Sequence, residues 1–419
     1  MLVFKFGGAS VKNADAVRNV SEILRKYEGE NLVVVVSAMG KTTNALEEIH
    51  RLRFEGRDCR DKLRDVSEFH DEIISELLGD DPTDEIDRLI NEMEATVDSP
   101  PGSDYDLEYD RVVSFGEFLS TRIVEAFLRK DGHKTEWFDV RNVIKTDGNH
   151  RAASIDWTRS ELSAQVVNAH LDQEGVDTLV TQGFVGSSKL NNTTTLGREG
   201  SDFSGAILAN ILDADKLIIW KDVPGMLNAD PKWFNHVEKL SQISYREAVE
   251  LSYYGASVIH PKTIKPLQNK SIPLYVKSFE EPGAEGSLIF KDATYDKLIP
   301  SYIFRSNQTL VSISPKDFSF IVEAHLSEIF EVCSVINLRM NLMQNSALNF
   351  SMVIDHDPQK LDKLTDLLSE AFTIKYNEGL KLLTIRHYDQ KIVDQLTKDH
   401  EVLLEQKSRQ TMRVAMRNK

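Results

Sequence analysis

The chain has little that would suit an oxidising compartment or a membrane. Its 419 residues include two cysteines, Cys59 and Cys333, far apart in sequence, so we expect reduced, inert thiols rather than a disulfide framework. No apolar run approaches the roughly 20 residues of a transmembrane helix. The segment Met1–Lys5 lacks the charged region, the long apolar stretch and the cleavage site of a signal peptide. We therefore expect a cytoplasmic protein without a membrane partner.

Positively charged residues are also fewer than negatively charged ones. Lysine and arginine total 50 against 66 aspartates and glutamates, which gives a net charge of -16 at pH 7. Nucleic acids and anionic membranes are bound through basic faces, so neither is an expected partner. Phosphate ligands need only local cations and are not excluded. With 41% hydrophobic and 28% charged residues, the composition is that of an ordinary globular protein.

The first 300 residues alternate between strand and helix patterns. Residues 1–40 are predicted as strand, glycine turn, helix and strand, and the second strand, Leu32–Val36, is continuously apolar. Such a strand is buried on both faces, as in a parallel or mixed sheet covered by helices. Further strands are expected at Thr178–Gln182, Ser188–Leu190, Lys216–Trp220 and Ile272–Val276. We expect the last of them to close the sheet of a three-layer α/β/α catalytic domain over residues 1–300. A helical insertion at 45–110 is predicted to cap the substrate side.

The remaining residues, 301–419, have an α+β pattern. A turn-rich segment, Glu281–Gly286, marks the edge of the first domain. Elements then follow in the order β-α-β-β-α-β up to Tyr376, with the first helix at 318–332 and the last strand at 373–376. A second, partial round runs from Leu380 to Met416 and begins with a strand at 380–386. This second round stops one helix short of a full unit. A tandem pair in which strands or helices are shared would explain the shortfall.

Two glycine turns predict anion sites. Thr195–Asp202 places glycines and Arg198 ahead of an apolar-periodic run that indicates a buried helix. At the N-terminus, the strand that contains Lys5 runs into Gly7 and Gly8. Glycines let the backbone approach a ligand, while a fixed cation and free N–H groups attract negative charge. Together the turns suggest a substrate whose charge lies in phosphates and a carboxylate.

Four segments carry a resemblance to a known family. In order and spacing, Lys5–Ser10, Thr195–Asp202, Lys221–Pro231 and Tyr254–Thr263 resemble the signatures of aspartate kinase in the amino-acid kinase superfamily. The tail, 301–419, resembles a tandem of ACT regulatory modules with the second unit partial. The resemblance implies transfer of the γ-phosphoryl group of ATP, with Mg²⁺, to the β-carboxylate of L-aspartate, the first step toward lysine, threonine and methionine. It also implies an amino-acid effector, lysine or threonine, and a homodimer formed through the tail.

The resemblance further implies roles for individual residues. Lys5 and Asp202 are the expected catalytic pair, with Lys5 stabilising the transferred phosphoryl group and Asp202 orienting that lysine or a metal-bound water. Glu117 would hold the ammonium of the substrate and Arg198 its α-carboxylate. The expected ATP contacts are Lys5, Gly7, Gly8, Ser10, Lys221, Asp222, Leu227, Lys232 and Ser257. The expected substrate contacts are Ser37, Thr43, Glu117, Arg198 and Ser201. The histidines show no metal-ligand pairing, so no protein metal site is expected.

Several positions depart from the family pattern. Ala9 stands where relatives usually carry threonine, and Glu199 replaces a glycine. Leu227, Lys232 and Ser257 stand where relatives often have an aromatic residue, an arginine and a lysine. The departures concentrate in the nucleotide segment and motivate an alternative hypothesis, a non-catalytic effector-binding scaffold of kinase-like shape. The catalytic and substrate residues are nevertheless present, which favours the enzyme.

Overall fold

The computed structural model describes residues 1–79, 83–173, 175–234, 236–256, 258–296 and 299–419. The chain divides into two compact units, each assembled from more than one segment. The first consists of Met1–Met226, Lys239–Val249 and Val258–Tyr295. The second consists of Leu227–Glu238, Glu250–Ser257 and Asp296–Lys419. Among the described residues, no helix combines the length and the apolar character needed to span a bilayer.

A mainly parallel sheet forms the centre of the first unit. The strands are β1 (Leu2–Phe6), β2 (Leu32–Val36), β3 (Thr135–Phe138), β4 (Thr178–Gln182), β5 (Val185–Ser187), β6 (Thr193–Thr195), β7 (Lys216–Lys221), β8 (Gln242–Ser244), β9 (Leu274–Ser278) and β10 (Ser287–Phe290). Within the described residues, eight of them pair in the order β3-β4-β2-β1-β7-β9-β10-β8, while β5 and β6 form a separate hairpin. Only the β9–β10 pair in the eight-stranded sheet of the described residues is antiparallel.

The prediction that the strand at 272–276 closes the sheet is wrong. β10 and β8 lie beyond β9. These two strands have four and three residues, too few to show a periodic apolar pattern in the sequence.

Helices lie around this sheet, some packed on its strands and others on neighbouring helices. They are α1 (Ala14–Arg25), α2 (Thr42–Phe54), α3 (Arg60–Leu78), α4 (Asp84–Asp98), α5 (Tyr105–Val113), α6 (Phe115–Lys130), α7 (Trp157–Leu171), α8 (Gly200–Ile211), α9 (Tyr245–Tyr254) and α10 (Pro261–Lys270). On one face, Phe4 and Phe6 of β1 are fully buried, and the Phe6 ring stacks on Trp220 of β7 with 5.9 Å between centroids. Side chains alternate along a strand, so Lys5 points to the opposite face, toward α8.

The register of the strands places the two glycine turns at one edge of the sheet. Phe6 of β1 pairs with Val36 of β2 on one side and with Trp220 of β7 on the other. All three strands run in parallel, so their carboxyl ends meet at the same edge. The residues that follow, Gly7 and Ser37, therefore lie beside Lys221 at the end of β7. In open α/β sheets this edge is where ligands bind.

The second unit contains one antiparallel sheet with helices. Its strands are β11 (Ser301–Pro315), β12 (Met340–Asn345), β13 (Phe350–Asp355), β14 (Phe372–Arg386), β15 (His400–Lys407) and β16 (Thr411–Asn418). Its helices are α11 (Glu323–Val335), α12 (Pro358–Leu368) and α13 (Gln390–Thr397). The strand order is β12-β13-β11-β14-β16-β15. Together the two units make the chain a mixed α/β protein, with a parallel sheet core followed by an antiparallel sheet.

Two features of the second unit differ from the sequence prediction. The segments 373–376 and 380–386 are predicted as separate strands but belong to one continuous strand, β14, which pairs with β11 over nearly its whole length. A helix is predicted at 318–332 but begins at Glu323. Phe318 and Phe320 account for the shift, because they supply an apolar pattern yet are 86% and 67% exposed.

Candidate active site

A cleft of about 570 Å³ opens at the carboxyl edge of the parallel sheet, within the first unit. Among its lining residues are nine of the predicted site residues: Lys5, Gly8, Ser37, Thr43, Glu117, Arg198, Ser201, Asp202 and Lys221. They come from β1, β7, three helices and the turns between elements. The sequence separates these residues by up to 216 positions, and the strand register brings them to one place.

Two lysines and an aspartate form a buried ion triad on the floor of the cleft. Lys5 Nζ lies 2.7 Å from Asp202 Oδ1, and Lys221 Nζ lies 3.0 Å from Asp202 Oδ2. Asp202 is in the first turn of α8 and is only 4% exposed. Gly205, one turn on, lets α8 pack closely against β7, since a Cβ there would lie only 3.2 Å from Leu217 Cδ1. The triad has a net positive charge, which a phosphate group would balance.

The electrostatics of the triad keep Asp202 ionised. Burial by itself raises the pKa of this carboxyl, but the ammonium groups of Lys5 and Lys221 outweigh that effect and hold the pKa below its usual value. A carboxylate that stays charged can fix both lysines at the end of the sheet. The two cations are therefore preorganised rather than free to rotate in solvent.

The first glycine turn is shaped by close contacts. Gly7 caps a short 3-10 turn, Gly8–Val11, and a Cβ at Gly7 would lie 3.4 Å from Lys5 Nζ. A Cβ at Gly8 would come within 2.8 Å of the carbonyl oxygens of Ala38 and Gly40. Packing against the following turn thus demands glycine at position 8, in addition to any demand from a ligand.

Glu117 supplies a buried carboxylate at the start of α6. It is 2% exposed, and its Oε1 accepts a hydrogen bond from Ala38 N at 3.3 Å. Its Oε2 is buried and finds no hydrogen-bond partner among the described residues. Burial raises the pKa of Glu117 to about 8. An incoming ammonium group would provide the missing partner and stabilise the ionised form.

The second glycine turn presents Arg198 at the mouth of the cleft. Gly197 has a φ of 71°, in the left-handed region where glycine is favoured. Glu199 has a φ of 54°, also left-handed, and precedes α8. The glycine expected at position 199 would adopt this conformation without the steric cost that a side chain brings, about 1 kcal/mol. Glu199 therefore keeps the shape of the turn but under strain.

Comparison with known proteins decides the family. The family model described as "Amino acid kinase family" matches residues 1–278. The chain belongs to the amino acid kinase family. Lysine-sensitive aspartokinase 3 of Escherichia coli strain K12 is 30% identical over 394 residues, which cover 92% of this chain and 86% of that protein. Identity over most of both proteins places the chain with the aspartokinases in that family.

Solved structures agree with this placement. A crystal structure of E. coli aspartokinase III in complex with aspartate and ADP, in the R-state, has a TM-score of 0.81 and 27% identity, covering 99% of this chain and 96% of that one. The same enzyme in complex with lysine and aspartate, in the T-state, has a TM-score of 0.82 and 27% identity, covering 99% and 95%.

Other residues that the aspartokinase resemblance implicates lie outside the residues that line the cleft. Ser10 is buried, and its hydroxyl oxygen has no hydrogen-bond partner among the described residues. Asp222 is exposed just after β7. Leu227 and Lys232 belong to segments of the second unit. Ser257 lies outside the described residues. The ATP contacts expected of these residues remain predictions.

Four further side chains, which the sequence motifs did not indicate, also line the cleft. They are Glu47, Tyr109, Arg151 and Phe184. Glu47 lies one helical turn after Thr43 on α2, a spacing that could have identified it. The other three follow no motif, because loops and distant helices bring them to the cleft. The Tyr109 hydroxyl donates a hydrogen bond to Glu47 Oε1.

The described residues contain no cluster of three or more His, Cys, Asp or Glu side chains that could hold a metal ion. Mg²⁺ in kinases is commonly held by nucleotide phosphates and one or two carboxylates, and it does not need a cage of protein ligands. Asp202, at the floor of the cleft, has both oxygens paired with Lys5 and Lys221, so a cation there would depend on the nucleotide phosphates for its ligands. The donor set therefore fits a cation that arrives with the nucleotide.

Proposed function

We propose that the chain transfers the γ-phosphoryl group of MgATP to the β-carboxylate of L-aspartate. A β-carboxylate oxygen forms a bond to the γ-phosphorus while the bond from this phosphorus to the bridging oxygen of ADP breaks. The products are 4-phospho-L-aspartate and ADP. The observation that carries the proposal is the Lys5–Asp202–Lys221 triad, which lies in one cleft with Glu117, whose Oε2 has no hydrogen-bond partner among the described residues.

Catalysis in this proposal rests on position and charge. A carboxylate nucleophile with an ordinary pKa of about 4 is already ionised at neutral pH, so no general base is needed. Lys5 and Lys221 face the charge that spreads over the transferred phosphoryl oxygens, and Asp202 keeps both in place. Mg²⁺, when bound with the nucleotide, would neutralise phosphate charge. Fixed cations in a site that excludes water lower the barrier without moving during the reaction.

Substrate recognition is assigned to opposite charges in the cleft. Glu117 Oε2 would accept hydrogen bonds from the ammonium of aspartate, and Arg198 would bind its α-carboxylate through two parallel hydrogen bonds. The hydroxyl groups of Ser37, Thr43 and Ser201 line the same cleft and would complete the contacts. An α-amino acid carries this pair of charges.

The nucleotide is assigned to the same edge of the sheet. Its phosphates would meet Lys5, Gly7, Gly8 and Ser10, whose buried hydroxyl has no partner of its own among the described residues. We assign the rest of the nucleotide to Lys221, Asp222, Leu227, Lys232 and Ser257. These assignments follow the family resemblance.

We also propose a regulatory role for the C-terminal region. Residues 1–300 would form the catalytic domain, with 45–110 as a lid, and 301–419 a tandem ACT-like region with a partial second unit. A lysine or threonine effector is supported by the E. coli enzyme that was solved with lysine. A homodimer through this region is supported by its exposed apolar side chains, among them Phe318, Phe320 and Val335. The enzyme would serve lysine, threonine and methionine synthesis in the cytoplasm.

The direct test is ADP release from MgATP with and without L-aspartate. We expect ADP to form only when the amino acid is present, and L-glutamate at the same concentration to be a poor substitute. ADP release that does not depend on aspartate would contradict the substrate. Binding of MgATP and aspartate without any turnover would instead support the non-catalytic scaffold.

A further inference from the structure

We infer that Arg151 is a second cation for the α-carboxylate of the substrate, so that this group is held between Arg151 and Arg198. The inference rests on the proposed function, because it assumes that the substrate is an α-amino acid. Arg151 belongs to the segment between β3 and α7, and its side chain lines the cleft together with Arg198 and Glu117.

The backbone places the two arginines on the same wall of the cleft. Arg198 directly follows Gly197 in the second glycine turn. A Cβ at Gly197 would lie only 3.1 Å from the carbonyl oxygen of Arg151, so the two segments are in contact. Ala153 N also donates a hydrogen bond to Thr195 O at 2.9 Å, which joins the same segments again.

A buried carboxylate holds this wall together. Asp110 is 0% exposed and accepts hydrogen bonds from Arg151 N at 3.0 Å and from Thr195 Oγ1 at 2.5 Å. Its other oxygen lies 2.7 Å from His150 Nδ1. Arg151 has a φ of 64°, a conformation that is costly for a residue with a Cβ. The fold therefore maintains a strained backbone at the position that directs this guanidinium to the cleft.

The guanidinium of Arg151 remains available for a ligand. Its ion-pair partner among the described residues is Asp106, at 3.2 Å, and both side chains are about half exposed. An exposed ion pair of this kind is weak, so a substrate carboxylate can replace Asp106. The ring of Tyr109 supports the guanidinium carbon at 4.5 Å, and the Tyr109 hydroxyl is occupied by Glu47. Two arginines on one carboxylate would bind it more tightly and in a more defined orientation than one.

The test compares Arg151→Asn with wild type in steady-state kinetics of the full chain. Asparagine tolerates the left-handed conformation, so this change removes the charge while adding little strain. We expect the KM for L-aspartate to rise about 10- to 100-fold, as for loss of a charged hydrogen bond, while kcat and the KM for ATP change less than about threefold. Arg111→Asn, which changes an exposed arginine of α5 outside the cleft lining, is the matched control and should leave all three constants unchanged.

A substrate analogue separates a ligand contact from a general structural effect. L-Aspartate α-amide keeps the ammonium and the β-carboxylate but lacks the α-carboxylate charge. Its inhibition constant should be nearly the same for wild type and Arg151→Asn. Asp106→Asn, which frees Arg151 from its resting partner, should leave the KM for aspartate unchanged or lower it.

Two outcomes would overturn the inference in different ways. A wild-type chain that turns over aspartate, together with an Arg151→Asn variant of unchanged KM, refutes the two-arginine clamp alone. An equal loss of affinity for aspartate and for the α-amide also refutes it, because the effect would then not depend on the α-carboxylate. A wild-type chain without aspartate-dependent turnover refutes the proposed function and this inference with it.

Discussion

The strongest pH dependence should come from Glu117. This carboxyl is buried, with a pKa raised to about 8, yet it must be ionised to hold the ammonium of the substrate. At pH 7 only about one molecule in ten would carry the charge, and ionising the remainder costs about 1.4 kcal/mol. Substrate binding would therefore release a proton. The KM for aspartate should fall about tenfold per pH unit from about pH 6 up to the pKa and become constant above it.

The assay is the KM for aspartate as a function of pH, with MgATP saturating. Glu117→Gln should bind aspartate weakly and lose the slope. The matched control is Glu125→Gln, which changes another buried carboxyl of α6 outside the cleft lining and should keep the wild-type slope. A wild-type KM that is flat across this range would refute the reasoning, because Glu117 would then be ionised without the substrate or would not contact it.

The raised pKa of Glu117 also predicts how the free energy of unfolding changes with pH. A carboxyl whose pKa is raised in the folded state binds a proton more tightly when folded than when unfolded. The free energy of unfolding of the ligand-free chain should then decrease as pH rises from about 4.5 toward 8, by about 1.4 kcal/mol per unit from this group alone. In urea titrations, Glu117→Gln should remove that component of the slope. An unchanged slope would mean that the carboxyl is not buried in solution.

Three further predictions follow from the cleft and from the C-terminal region. Lys5→Ala should lower kcat by about two to three orders of magnitude, since one transition-state charge contact contributes roughly 3–4 kcal/mol. Undiminished turnover in this variant would show that Lys5 has no part in the mechanism. Arg198→Lys should raise the KM for aspartate sharply and leave the KM for ATP nearly unchanged, because a bidentate contact becomes a single one. A main effect on the KM for ATP would instead assign Arg198 to the nucleotide. Light scattering should show a dimer that Phe320→Glu weakens, because this ring lies in the C-terminal region and is 67% exposed. A monomeric wild-type chain would refute the C-terminal region as an assembly surface.

The sequence alone was sufficient for the parts of the protein that depend on local pattern. The continuously apolar run at Leu32–Val36 predicts a strand buried on both faces, and β2 is such a strand. Glycines beside Lys5 and Arg198 predict turns that expose backbone and charge, and both residues line the cleft. These features rely on neighbours within about ten residues, where side-chain period and turn chemistry decide the conformation.

Features that depend on burial and on contacts between distant residues follow from the folded chain and not from local pattern. The raised pKa of Glu117 comes from desolvation in the folded chain and cannot be read from its position at a helix start. Asp110 and Thr195 are 85 positions apart, yet their hydrogen bond links the Arg151 loop to the turn of Arg198. Leu227 and Lys232 belong to the second unit, although in sequence they lie between β7 and β8 of the first unit. In each case the physical cause is the same: the fold brings together groups whose spacing along the chain carries no signal of contact.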